Sequence, residues 1–96
     1  MNEKLIKLIV KDITVLWSES SMVNDTLGCD ENYDIDKTFS FDILADLFLK
    51  AATSELGYDK TKMKVNLFNG ESFECRMDIS PDENNLCDFV SRYLEG

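Results

Sequence analysis

Met63-Lys64-Val65-Asn66-Leu67-Phe68-Asn69-Gly70-Glu71-Ser72-Phe73-Glu74-Cys75-Arg76-Met77-Asp78-Ile79 is the stretch whose reading decides the fold. Asn69-Gly70 lies between two runs in which apolar and polar residues alternate, the pattern of a β-hairpin. Parity sets the loop length. A two-residue loop would place Val65 opposite Glu74 and Asn66 opposite Phe73, mixing core and solvent faces. A three-residue loop, Phe68-Asn69-Gly70, pairs Leu67 with Glu71, Val65 with Phe73, Met63 with Cys75 and Thr61 with Met77. Met63, Val65, Leu67, Phe73, Cys75 and Met77 then share one face, and Lys62, Lys64, Asn66, Glu74, Arg76 and Asp78 share the other. The same loop puts Gly70 where a positive φ is required.

Downstream, Ser80-Pro81-Asp82-Glu83 reads as a capping box with proline at the first helical position. Leu86, Phe89, Val90, Tyr93 and Leu94 continue it as an apolar helical stripe. Upstream, Ser40 is a natural N-cap and Asp42 falls in the first turn, where a carboxylate favours the positive helix end. Phe41, Leu44, Ala45, Phe48 and Ala52, widened by Leu47 and Ala51, form its buried stripe, and Asp42, Asp46 and Lys50 its wet side. Gly57 after Leu56 supplies a left-handed stop.

Residues 12–17 read as a strand rich in β-branched residues. Leu5, Ile9, Ile13, Val15 and Trp17 fall on one parity. Residues 3–10 either extend this strand or form a short helix through Leu5, Leu8 and Ile9; the extended strand is the favoured expectation. Residues 18–38 have no period and many turn formers, and read as a long acidic loop, unusual in so small a domain. The expectation is a single α+β domain over residues 1–96, in the order β-α-β-β-α: a small antiparallel three-stranded sheet with two helices packed on one face. Trp17, Leu44, Phe48, Val65, Phe73, Phe89, Val90 and Tyr93 are expected to be at least partly buried.

An apolar content of 44% in 96 residues supports a modest core. No apolar run approaches the ~20 residues that span a bilayer. Lysines interrupt the apolar residues of the N-terminus, so no signal peptide is read and a cytoplasmic protein is expected. Cys29, Cys75 and Cys87 are widely spaced, and there is no histidine. Reduced thiols, with no structural metal and no cofactor, are the expectation.

Residues 19–46 carry eight carboxylates against one lysine, which is −7 of the chain's net −9. Such a local field attracts a basic partner and speeds its encounter. Asp30-x-Asn32-x-Asp34-x-Asp36 has the beginning of an EF-hand loop. Ile35 stands where that loop needs glycine, and Phe41 where it needs glutamate, so a contact surface or solvated loop is the better reading. Without histidine, a G-x-S-x-G turn or a glycine-rich phosphate loop, no catalytic residues are assigned and an enzyme is not expected. Lys60, Lys62, Lys64 and Arg76 make a small basic stripe on the outer hairpin face. Cross-strand pairing with Glu74 and Asp78 is the expectation there, and no direct nucleic-acid contact.

Three patches carry a family resemblance: Trp17-Ser18-Glu19-Ser20 after a strand, Gly57-Tyr58-Asp59-Lys60-Thr61-Lys62 before one, and Phe73-Glu74-Cys75-Arg76-Met77-Asp78 ahead of the last helix. In order and spacing, over about residues 12–95, the chain resembles one of the large polyvalent-protein-associated domain families of phages and conjugative elements. Its long acidic connection, which holds Cys29, departs from that family. The resemblance implies a mobile-element accessory protein, and a stand-alone acidic protein of this kind looks like an anti-CRISPR inhibitor. The expected partner is a CRISPR effector nuclease, whose basic channel holds a heteroduplex by its backbone. Asp30, Glu31, Asp34, Asp36, Asp42 and Asp46 are the expected contact residues. The alternative is a non-catalytic interaction or regulatory module of a phage or conjugative element.

Overall fold

The computed structural model describes residues 2–19, 34–54 and 59–95. The chain is α+β, in the order α1 (Glu3–Ile9), β1 (Val10–Ser18), β2 (Asp34–Phe39), α2 (Phe41–Ser54), β3 (Asp59–Leu67), β4 (Ser72–Ile79) and α3 (Leu86–Glu95). All strand pairs are antiparallel and the sheet order is β2-β1-β3-β4. The β-α-β-β-α expectation is therefore short by one strand and one helix.

The hairpin follows the parity argument. Val65 pairs with Phe73, Met63 with Cys75 and Thr61 with Met77. The Leu67 N–H donates to the Glu71 carbonyl at 2.9 Å, and Gly70 has φ +91°. Met63, Val65, Cys75 and Met77 are buried, and Leu67 and Phe73 pack at the margin of the core.

The additional helix lies where an extended strand was favoured. Asn2 Oδ1 accepts the Leu5 N–H at 2.8 Å, capping α1, and Glu3 sits in its first turn. The cap and the Glu3–Lys7 pair at i,i+4 outweigh the β-branched residues that follow. Ile6, not Leu5 or Leu8, is the buried residue. The additional strand, β2, takes up the end of the expected 18–38 loop and the residue after it. It buries Ile35 and sets Phe39 against the core, but its short run of Asp and Lys conceals the strand pattern. Ser18 belongs to β1, and residues 20–33 lie outside the described residues.

β1 carries two bulges against β3. Val10 pairs with Leu67 and Asp12 with Asn66, so Lys11 is extra; Val15 pairs with Met63 and Trp17 with Lys62, so Leu16 is extra. Each bulge flips the side-chain parity. Val10, Ile13, Val15 and Ser18 are buried as a result, and Trp17 is turned to the outer face beside Lys62. Trp17 is half-buried, as expected, but does not share the face of Ile13 and Val15.

α2 forms as its stripe dictates. Phe41, Leu44, Leu47, Phe48, Ala51 and Ala52 are buried, and Ser40 Oγ accepts the Ile43 N–H at 3.4 Å. The Gly57 stop lies outside the described residues. α3 begins later than the capping box implies. Ser80 Oγ does accept the Glu83 N–H at 3.0 Å, but residues 81–83 form a bend. Asn84 Nδ2 donates to the Ser80 and Pro81 carbonyls, engaging acceptors that a helix would use for its own turns. The working cap is Asn85, whose Oδ1 accepts the Asp88 N–H at 3.1 Å. Leu86, Phe89 and Val90 are buried, whereas Tyr93, expected to be at least partly buried, is 49% exposed and stacks on Phe73.

The core unites Ile6 of α1, the inward residues of the sheet, the α2 stripe, and Leu86, Phe89 and Val90 of α3. Its outer counterpart carries Lys62, Lys64, Glu74, Arg76 and Asp78, all exposed, so helices cover one sheet face and no described element covers the other.

Candidate functional site

β2 and α2 run consecutively through the acidic stretch and place its described carboxylates. Asp36 sits in the edge strand β2 with φ +49°. Aspartate tolerates this left-handed conformation better than most residues, though it still carries strain. The β1–β2 register advances two residues on β1, Val15 to Trp17, and three on β2, Lys37 to Asp34. The left-handed Asp36 lies inside that irregularity, and its side chain is exposed.

Asp42 and Asp46 lie one turn apart on the wet side of α2, as the helical spacing requires. Each is matched by a cation. Lys7 Nζ of α1 is 2.6 Å from Asp42 Oδ1, and Lys50 Nζ is 2.8 Å from Asp46 Oδ2. The hydrogen bond from Lys7 to Asp42 raises the lysine's pKa, so Lys7 stays charged through the neutral range. The Lys50 pair was legible as an i,i+4 spacing. The Lys7 pair was not, because it depends on α1 being a helix. Among the described candidate carboxylates with placed side chains, Asp36 alone has no cation within ion-pairing distance. Asp34 contributes its backbone to β2, and Asp30 and Glu31 lie outside the described residues. The structure thus sets Asp36, Asp42 and Asp46 on neighbouring elements with exposed side chains, and two of the three enter ion pairs.

The open sheet face is organised differently. Asn66 Nδ2 donates to Asp12 Oδ1 at 2.7 Å and to Thr14 Oγ1 at 3.2 Å, and Thr14 and Thr38 share a hydroxyl hydrogen bond of 2.8 Å. This polar row crosses β3, β1 and β2 beside a groove of about 400 Å³. Toward the hairpin, the register sets Lys64 opposite Glu74, Lys60 opposite Asp78 and Lys62 opposite Arg76. Among the described residues, none of these cations comes within 4.0 Å of a carboxylate. The expected cross-strand ion pairs are present as register neighbours, not as contacts. The place of Trp17 beside Lys62 was missed in the sequence, since nothing in residues 10–18 signals either bulge.

Burial pushes the Cys75 thiol up to about 11 and also raises Cys87. Both are therefore thiols, not thiolates, at neutral pH, which makes them poor nucleophiles. Among the described residues, no group of three His, Cys, Asp or Glu side chains converges as metal ligands. Likewise, no described helix is long and apolar enough to cross a membrane. Comparison with protein-family models, with curated proteins and with solved structures returns no match, so the three sequence patches alone carry the family resemblance.

Proposed function

We propose that this protein is a non-catalytic inhibitor that engages a basic protein surface through the acidic segment formed by β2, the start of α2 and the residues preceding them. The supporting observation is the concentration of charge: −7 of the net −9 falls in residues 19–46, and Asp36, Asp42 and Asp46 of that stretch are all exposed. The ion pairs of Asp42 and Asp46 do not oppose this reading. Exposed pairs are weakened by solvent and salt, so a partner's arginine or lysine can exchange with Lys7 and Lys50 at small cost. Asp36 needs no exchange, and its left-handed backbone fits a residue held for contact.

The particular partner we propose is the basic nucleic-acid-binding surface of a CRISPR effector nuclease, with carboxylates occupying the places of phosphates. This narrower step rests on the resemblance to mobile-element domains and on the basic character of such channels. It is tested by an interference assay with candidate effectors, comparing the parent with an Asp34→Lys, Asp36→Lys, Asp42→Lys variant. The expected result is loss of inhibition with an unchanged circular-dichroism spectrum, and parent binding that slows as salt rises, since screening acts over about 8 Å at physiological ionic strength. A folded triple variant that inhibits as well as the parent removes the acidic segment from the mechanism. A parent that inhibits no effector but captures relaxase or replication proteins of its own element favours the regulatory module instead.

A further inference from the structure

The two edges of the sheet are unlike. β2 is six residues long and is broken by the left-handed Asp36. Irregularities of this kind protect an edge from pairing with another chain. β4 is eight residues long, without proline and in unbroken register with β3. The Leu67 N–H to Glu71 carbonyl bond marks Leu67–Glu71 as a hydrogen-bonded pair. In an antiparallel ladder such pairs alternate, so Phe73, Cys75 and Met77 direct their backbone groups at β3. Ser72, Glu74, Arg76 and Asp78 therefore direct theirs away from the sheet. These four residues are exposed, and no described group hydrogen-bonds to that outer edge.

The side chains on this edge alternate in sign, and the alternation selects a register. A second copy of β4, laid antiparallel along the first, must pair even-numbered residues with even-numbered residues to form hydrogen bonds. Pairing Glu74 with Glu74 of the second copy opposes like charges. Pairing Arg76 with Arg76 opposes like charges too, and sets Glu74 against Asp78. The register between these places Glu74 opposite Arg76 and Arg76 opposite Glu74, Ser72 opposite Asp78, and Cys75 on the two-fold axis. On the core side the same register brings Phe73 opposite Met77, so apolar residues meet there while opposite charges meet outside. Cross-strand pairs of both kinds are favourable.

We propose that β4 is a self-pairing edge, and that the chain forms a two-fold dimer with a continuous eight-stranded sheet through this one register. The occupant of the edge is a second copy of the chain because the free edge is complementary to itself in this register, whereas the two adjacent registers oppose like charges; the register that sets Arg76 opposite Asp78 also matches charge but pairs fewer residues of β4. The two β2 edges, each carrying Asp36, then stand at opposite ends of the dimer.

Sedimentation velocity over a concentration series tests this on the full chain. The parent is expected to show a species of twice the monomer mass. Arg76→Glu places Glu74 against a glutamate at both symmetric positions, and Glu74→Arg places Arg76 against an arginine. Each single variant is expected to raise the dimer dissociation constant by about tenfold or more, from two attractive pairs turned repulsive. The Glu74→Arg, Arg76→Glu double variant restores both pairs in exchanged order and is expected to recover the parent's dimerisation. Circular dichroism of each variant controls for folding, and all the substituted side chains are exposed. A parent that stays monomeric overturns the proposal and leaves the edge to an extended segment of another protein. Dimerisation that neither single variant weakens overturns it as well, and points to a different face. Failure of the double variant to recover dimerisation refutes the register.

Discussion

Gly70 isolates a single backbone cost, which makes its substitution informative. Its φ of +91° is a conformation that L-residues rarely adopt, and a Cβ built there meets no heavy atom within 4 Å. The Gly70→Ala variant therefore suffers no steric clash with the rest of the molecule. What remains is the left-handed backbone, about 1–2 kcal/mol for a residue with a Cβ. Against this, alanine restricts the unfolded chain and returns about 0.4–1 kcal/mol. The expected net loss is about 0.5–1.5 kcal/mol, measured by urea denaturation with an unchanged m-value. Gly70→Asn should lose less, because asparagine tolerates positive φ. A loss above about 3 kcal/mol would show that the loop collides with something or cannot keep its three-residue form. A stabilised alanine variant would refute the positive-φ assignment itself.

Two further outcomes follow from the ends of α3 and from the thiols. Asn85→Ala should cost about 1 kcal/mol as the loss of a helix cap, and should lower helicity by circular dichroism. Ser80→Ala should leave helicity unchanged, because its hydroxyl closes a bend and not the helix. For Cys75, burial raises the folded pKa to about 11, above the ordinary thiol value of 9.0. Its contribution is thus fully present below pH 9 and is lost as pH rises toward 11, because the unfolded chain ionises first. Stability should fall across that window, and Cys75→Ala should flatten the slope. A parent whose stability is constant from pH 9 to 11 would contradict the burial of this thiol.

The parts of the fold that were legible are those in which one local pattern decides. The hairpin register followed from side-chain alternation and one glycine, and α2 from a stripe with a cap ahead of it. α1 and β2 were hidden by competition between patterns. In α1, β-branched residues spoke for a strand while Asn2, Glu3 and Lys7 supplied the helical cap and charges. In β2 the charged residues Asp34, Asp36 and Lys37 read as loop, and only pairing with β1 makes them a strand. The bulges at Lys11 and Leu16 had no signal, since an extra residue is visible only against the strand it faces. The candidate site was legible as charge, which needs no geometry. Its pairing was not, because Lys7 approaches Asp42 only through tertiary packing of α1 beside α2.

The sheet order also assigns an unequal task to its strands in time. β3 and β4 are joined by a tight turn and pair residues close in sequence, such as Val65 with Phe73. The central pair, β1 with β3, joins Ile13 to Val65 across more than half the chain. Closing that distance costs chain entropy before any contact rewards it. The hairpin can form within microseconds as a local event, whereas the sheet is complete only when β1 arrives from the far end of the sequence. Docking of β1 should then set the folding rate. Truncating Val15 or Ile13 should slow folding, and so should changes that weaken the β3–β4 hairpin, since contacts made by the time β1 docks move the refolding arm of a chevron plot.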